Sequence, residues 1–89
     1  MRVRLSSRFK RAYERLPAHL QEDFDEKICW FMENPHDHRL QTHKLKGKLH
    51  ACFSFYLRDG YRVLFELSDT NVADLLDVGP HDKYRTWRR

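Results

Sequence analysis

Two cysteines, Cys29 and Cys52, are too few in 89 residues to build a disulfide framework. No apolar run approaches the 18 residues of a membrane span, and Met1-Arg2-Val3-Arg4 lacks the apolar stretch of a signal peptide. Glycine and proline number three each, with no Gly/Ser-rich linker, low-complexity tract or repeat. These absences set aside a secreted disulfide domain, a membrane protein and a targeting leader, so a reducing cytoplasm is the expected location. Length allows one unit, and residues 1–89 read as a single domain that buries about 60–65% of its unfolded surface. What is present is apolar and aromatic: 40% hydrophobic residues, with six Phe, four Tyr and two Trp, which argues against disorder.

Charge is more informative by region than in total. Residues 1–38 carry seven basic and seven acidic side chains, whereas residues 39–89 carry ten basic and six acidic. The whole excess of +4 therefore lies in the second part. An excess collected there points to an anionic partner, nucleic acid being the commonest, although a merely solvated basic surface fits the same numbers.

Local pattern gives the element order. Val3 and Leu5 alternate with Arg2 and Arg4, predicting a short first strand. Ser6 or Ser7 can cap a helix through Leu16, with Phe9, Ala12, Tyr13 and Leu16 on one face. Pro17 can open a second helix, in which Leu20, Phe24, Ile28 and Phe31 form a stripe; Asn34-Pro35 stops it. From Leu49 the period becomes two. Ala51, Phe53, Phe55 and Leu57 alternate with His50, Cys52, Ser54, Tyr56 and Arg58. Asp59-Gly60 then signals a hairpin, Tyr61–Leu67 returns, and a strand near Val72–Val78 ends at Gly79-Pro80. The expected fold is α+β: a strand, a two-helix hairpin, then an antiparallel three-strand meander with a short C-terminal tail. The helices should cover the aromatic sheet face and leave the face of Ser54, Tyr56 and Arg62 open.

Several segments could carry chemistry. His43-Lys44-Leu45-Lys46-Gly47-Lys48 sets a histidine and three lysines beside a glycine, a loop able to hold phosphates by charge, or simply a solvated one. Tyr56 and Arg62 should flank the turn on adjoining strands, about 5 Å apart if directly opposed and about 7–8 Å if diagonal, either within reach of one phosphate. A guanidinium there can grip a phosphate with two hydrogen bonds, although an ordinary surface contact reads the same way. His81-Asp82-Lys83-Tyr84 follows the last strand, and histidine can give or take a proton near neutrality. His36, Asp37, His38 and His43 invite a metal reading, but three of them fall in one loop and no metal-binding spacing appears, so no metal is expected. Cys29 and Cys52 read as inert packing thiols.

The order of these pieces resembles the RelE/ParE superfamily of toxins from type II toxin–antitoxin pairs. His43-Lys44-Leu45-Lys46-Gly47, Tyr61-Arg62-Val63-Leu64-Phe65 and Gly79-Pro80-His81-Asp82-Lys83-Tyr84 carry the likeness, which spans nearly the whole chain. The histidines at 43 and 81 look most like the RelE/YafQ branch. That branch implies a ribosome-dependent mRNA endonuclease, needing no metal or other cofactor. In it the RNA 2′-hydroxyl attacks the adjacent phosphate. Carried across, His81 is the principal acid/base, Arg62 the phosphate clamp, and His43 a second proton-transfer or positioning group. Tyr84 and Tyr56 stack or orient, and Lys44, Lys46, Lys48, Arg58 and Arg85 hold RNA phosphates. Ser54 and Tyr56 stand where RelE-type enzymes place lysines, and Tyr56 where YafQ places a histidine. The resemblance also implies a cognate antitoxin, a toxin–antitoxin hetero-oligomer, ribosome and mRNA as partners, and no membrane. The alternative within the superfamily is a ParE-like, non-catalytic inhibitor of DNA gyrase.

Overall fold

The computed structural model describes residues 1–47 and 51–82. Strand β1 (Arg2–Leu5) leads into helices α1 (Ser7–Glu14) and α2 (Ala18–Glu33), a 3-10 turn at His38–Leu40 and strand β2 (His43–Lys44). Strands β3 (Phe53–Tyr56), β4 (Arg62–Asp69) and β5 (Val72–Gly79) follow. All five form one sheet in the order β1-β5-β4-β3-β2.

The α+β class agrees with the sequence reading, and the sheet is larger than the expected three-strand meander. β1 joins it as an edge parallel to β5, with Leu5 opposite Leu75, and Arg4 grips its register partner Asp74 at 2.6 and 2.9 Å. On the other edge His43–Lys44, expected in a loop, pairs antiparallel with Ser54 and Phe53. Two residues are too few for alternation to betray a strand.

The helix boundaries have local causes. Ser6 accepts the Phe9 N–H at 2.9 Å as N-cap of α1. Pro17 precedes α2 with φ −54°, and extended Asn34 ends it. Between β3 and β4, Asp59 (φ 59°) and Gly60 (φ 74°) both adopt left-handed backbone. The loop spans Arg58–Gly60, closed by Leu57 N–H donating to the Tyr61 carbonyl at 2.8 Å, wider than a two-residue turn.

The helices cover the aromatic sheet face. Phe9, Leu20, Phe24 and Phe31 pack against Phe55, Val63, Phe65 and Leu75, all buried. Phe31 is central, its ring centroid 5.1 Å from Phe55 and 4.8 Å from Phe65. Full burial of each such side chain contributes about 1.5–3 kcal/mol, so this face drives folding.

The opposite face corrects one expectation, because it is open only in part. Leu45, Cys52 and Leu64 form a second small buried cluster with Leu76 against it. Leu45 N–H donates to the Cys52 carbonyl at 2.9 Å, drawing the residues after β2 across the sheet. Ser54, expected on an open surface, is wholly buried. Cys52 is a buried thiol as expected, whereas Cys29 is exposed at the surface of α2 rather than packed. No helix among the described residues is long and apolar enough to cross a membrane.

Candidate functional site

The uncovered part of this face lies at the hairpin end of β3 and β4. Tyr56 and Arg62, expected on adjoining strands beside the turn, are direct register partners there because the loop spans three residues. The Arg62 guanidinium carbon lies 4.8 Å from the Tyr56 ring centroid, within the range of a cation–π contact. On the other flank, the His43 ring centroid is 5.5 Å from that of Tyr56, with 35° between the planes. The strand order β4-β3-β2 thus sets Tyr56 between the two.

His43 is held from both sides. Its Nδ1 lies 3.3 Å from the Gln41 carbonyl and its Nε2 lies 3.4 Å from Ser54 Oγ. Gln41 caps the 3-10 turn in left-handed backbone (φ 53°, ψ 41°), uncommon for a residue other than glycine. The turn is anchored in its own right. Asp37 accepts the Arg39 backbone N–H at 2.9 Å and takes the Arg39 guanidinium at 3.1 and 2.9 Å. The Arg39 side-chain hydrogen bonds hold the Asp37 carboxyl down to about 2. Arg39 also lies 4.0 Å above the Trp30 ring, tying the turn to α2.

His81 belongs to the same end of the sheet by topology. Gly79 is the register partner of Arg62, and exposed His81 follows two residues later. Lys44 does not join the group. Its register partner is Phe53, so the pleat puts it on the side opposite His43. Lys46 is exposed beside Gly47, whose positive φ of 69° turns the chain. Arg58 is directed to α2, its Nε 3.4 Å from Asp23 Oδ1. Lys48, Tyr84 and Arg85 lie outside the described residues. Among the described residues no three or more of His, Cys, Asp and Glu gather as metal ligands.

Two features escaped the sequence reading. The alternating pattern puts Ser54 on a surface, and only the fold reveals its burial and its contact with His43. Arg15 lines, with Tyr61, Gly79 and Pro80, a hollow of about 140 Å³ beside the end of β5. The clue to it lay in α1, because charges that cancel over residues 1–38 are separated in space. Residues 1–16 carry six basic side chains and one acidic, and residues 17–38 carry the reverse.

Chemically, a guanidinium is a planar fork whose geometry matches two oxygens of one phosphate. Its charge is suited to an anion that gains charge during reaction.

No family model matches the chain, and no curated protein matches it in sequence. Solved structures do match in fold. A YoeB/ParE toxin from Agrobacterium tumefaciens superposes with a TM-score of 0.79 at 18% identity, covering 91% of this chain and 99% of that one. The RelB–RelE antitoxin–toxin complex from Methanococcus jannaschii contains a chain with a TM-score of 0.76 at 15% identity, with 97% and 99% covered. YafQ from E. coli strain BL21(DE3) gives 0.72 at 14% identity, with 94% and 98% covered. The protein has the fold of these toxins over nearly its whole length.

Proposed function

We propose that the protein is the toxin of a type II toxin–antitoxin module and cleaves mRNA on the ribosome. The observation that carries this reading is Arg62, stacked on Tyr56 at the uncovered end of the sheet, at the strand position facing the segment that leads to His81. The fold shared with RelE- and YafQ-type toxins supports the class.

In this reaction the RNA supplies its own nucleophile. The 2′-oxygen bonds to the adjacent phosphorus, the bond to the 5′-oxygen breaks, and a 2′,3′-cyclic phosphate and a 5′-hydroxyl result. The protein must align the attack, move two protons and stabilise charge on the phosphate oxygens. Arg62 takes the charge, with Lys46 adding to the local field. His81 protonates the leaving 5′-oxygen. Tyr84 and Arg85 are assigned to base stacking and phosphate contact beside it. The uncovered surface is shallow, so the ribosome must hold the substrate, and cleavage of free RNA should be weak. The partner is an antitoxin, as RelB is for RelE, and the site of action is the cytoplasm, where ribosomes are.

Toe-printing of translating ribosomes with purified protein tests the proposal. Cuts within the A-site codon are expected, and their absence overturns it. One observation favours a gyrase inhibitor instead: among the described residues no lysine stands on the strand positions beside Arg62, since Lys44 lies on the other side and Ser54 and Tyr56 occupy the inner positions. Intact mRNA together with trapped DNA breaks would establish that second reading.

A further inference from the structure

Ser54, His43, Tyr56 and Arg62 form an unbroken series across β2, β3 and β4. A buried serine beside a histidine invites a nucleophile–base pair, but Ser54 has no exposed surface and no substrate can reach it. His43 is equally constrained. A carbonyl only accepts, so the hydrogen bond to Gln41 requires the proton on Nδ1. In the neutral ring Nε2 is then the acceptor for the Ser54 hydroxyl, and in the cation it donates to the same oxygen. Both nitrogens are turned to the protein, and the ring offers Tyr56 its face.

We propose that His43 acts not as a proton carrier but as the outer plate of a three-layer column, His43–Tyr56–Arg62, that sets the Arg62 guanidinium for a phosphate. This rests on the reading of Arg62 as the phosphate clamp. Ser54 and Gln41 fix the tilt of the imidazole. The imidazole limits the tyrosine ring on one side, and the guanidinium lies against it on the other. A bidentate grip depends on the direction of the guanidinium, and the plane of the tyrosine ring constrains it. His43, Tyr56 and Ser54 are positioning residues, and Arg62 alone of the four touches the substrate.

Two measurements decide the matter. In the free protein, the Arg62 Nε–H proton resonance should be displaced upfield by the tyrosine ring. Tyr56→Leu should abolish that displacement and His43→Ala should reduce it. The double variant Ser54→Ala/His43→Phe, which removes both hydrogen bonds but keeps a ring, should retain more of it than His43→Ala. On ribosomes, Tyr56→Leu and His43→Ala should each slow single-turnover cleavage about tenfold, the order of a lost cation–π contact. The double variant should cleave faster than His43→Ala, in step with the resonance displacement it retains. Should the Arg62 resonance ignore Tyr56→Leu, the column does not exist. Should the double variant retain the resonance yet cleave as poorly as His43→Ala, the imidazole nitrogens do chemistry and the column proposal falls. If the unmodified protein cuts no mRNA, the nuclease reading fails, and the resonance alone decides whether Arg62 is held in this way.

Discussion

The buried carboxylate of Asp23 in α2 accepts a hydrogen bond of 2.8 Å from the backbone N–H of Arg58, in the loop between β3 and β4. The Arg58 guanidinium approaches the same carboxylate, and Lys27 Nζ lies 3.0 Å from it. A second tie joins His19 to Asp59 at 2.8 Å. The loop that carries Tyr56 at its entrance and Arg62 at its exit is therefore fixed to the helical layer behind it. The site face is shaped from the other side of the sheet.

Asp23→Ala should therefore act on both stability and site. It leaves a loop N–H and Lys27 without their acceptor, at a cost of about 1–3 kcal/mol. Urea unfolding should show the midpoint falling with little change in slope. A neutral result would mean that water replaces the carboxylate and the loop is held elsewhere.

Acid should loosen the turn before β2 within a defined range. Asp37 titrates at about 2 rather than 3.8 because Arg39 donates to its ionised form. A carboxyl whose folded value is depressed adds stability that is complete above the unfolded value. That stability is lost as pH falls from near 4 through about 2. Following the Asp37 carboxyl by NMR should give a midpoint near 2, returning toward 3.8 in Arg39→Ala. A midpoint unmoved by that substitution would remove Arg39 as the cause.

Much of this was legible before any coordinates, and the illegible parts have common physical reasons. The helices announce themselves because Phe9, Leu20, Phe24 and Phe31 recur at helical spacing over several turns. The hairpin announces itself as an Asp-Gly turn between alternating runs, but the direct opposition of Tyr56 and Arg62 depends on a loop of three residues, Arg58–Gly60, where a two-residue turn would set Leu57 opposite Arg62. β2 is hidden, since two residues have no period, and the faces of His43 and Lys44 depend on which one pairs with Ser54. Leu45 and Cys52 are single apolar residues in basic or polar surroundings, so their cluster was invisible. Asp23 sits among Glu22, Asp25 and Glu26, where any one acid could serve the helix terminus. Only tertiary packing selects which is buried.

Leu45→Ala should test whether the second cluster matters to the site. Truncating a buried leucine costs about 2–5 kcal/mol, and a cluster this small and close to the surface places the loss near 2. The sharper consequence is local: hydrogen exchange at Leu45 N–H should accelerate more than at Val63 or Phe65 in the main core. Equal acceleration everywhere would show the two clusters unfolding as one unit.

Arg62→Lys keeps the charge and loses the planar fork and the stack on Tyr56. It should reduce A-site cleavage at least tenfold, and Arg62→Ala about 100-fold or more. Both should fold, with stability changed by about 1 kcal/mol or less. Full activity in Arg62→Lys would reduce the role of Arg62 to a point charge.

His81→Gln isolates the proton transfer. Glutamine keeps hydrogen-bonding capacity at a similar reach but cannot exchange a proton near neutrality, so single-turnover cleavage should fall about 100- to 10,000-fold. Binding to ribosomes should persist, because Arg62 and Lys46 are untouched and phosphate attraction rests on them. The size of the loss also separates His81 from the column. Disturbing a platform gives about tenfold, whereas removing the acid that protonates the 5′-oxygen gives the larger figure. A model substrate with a 5′-thio leaving group needs no such proton, and on it His81→Gln should recover most of the lost rate. A deficit that persists on the thio substrate would make His81 a binding residue, and the acid would then have to be sought elsewhere on this face.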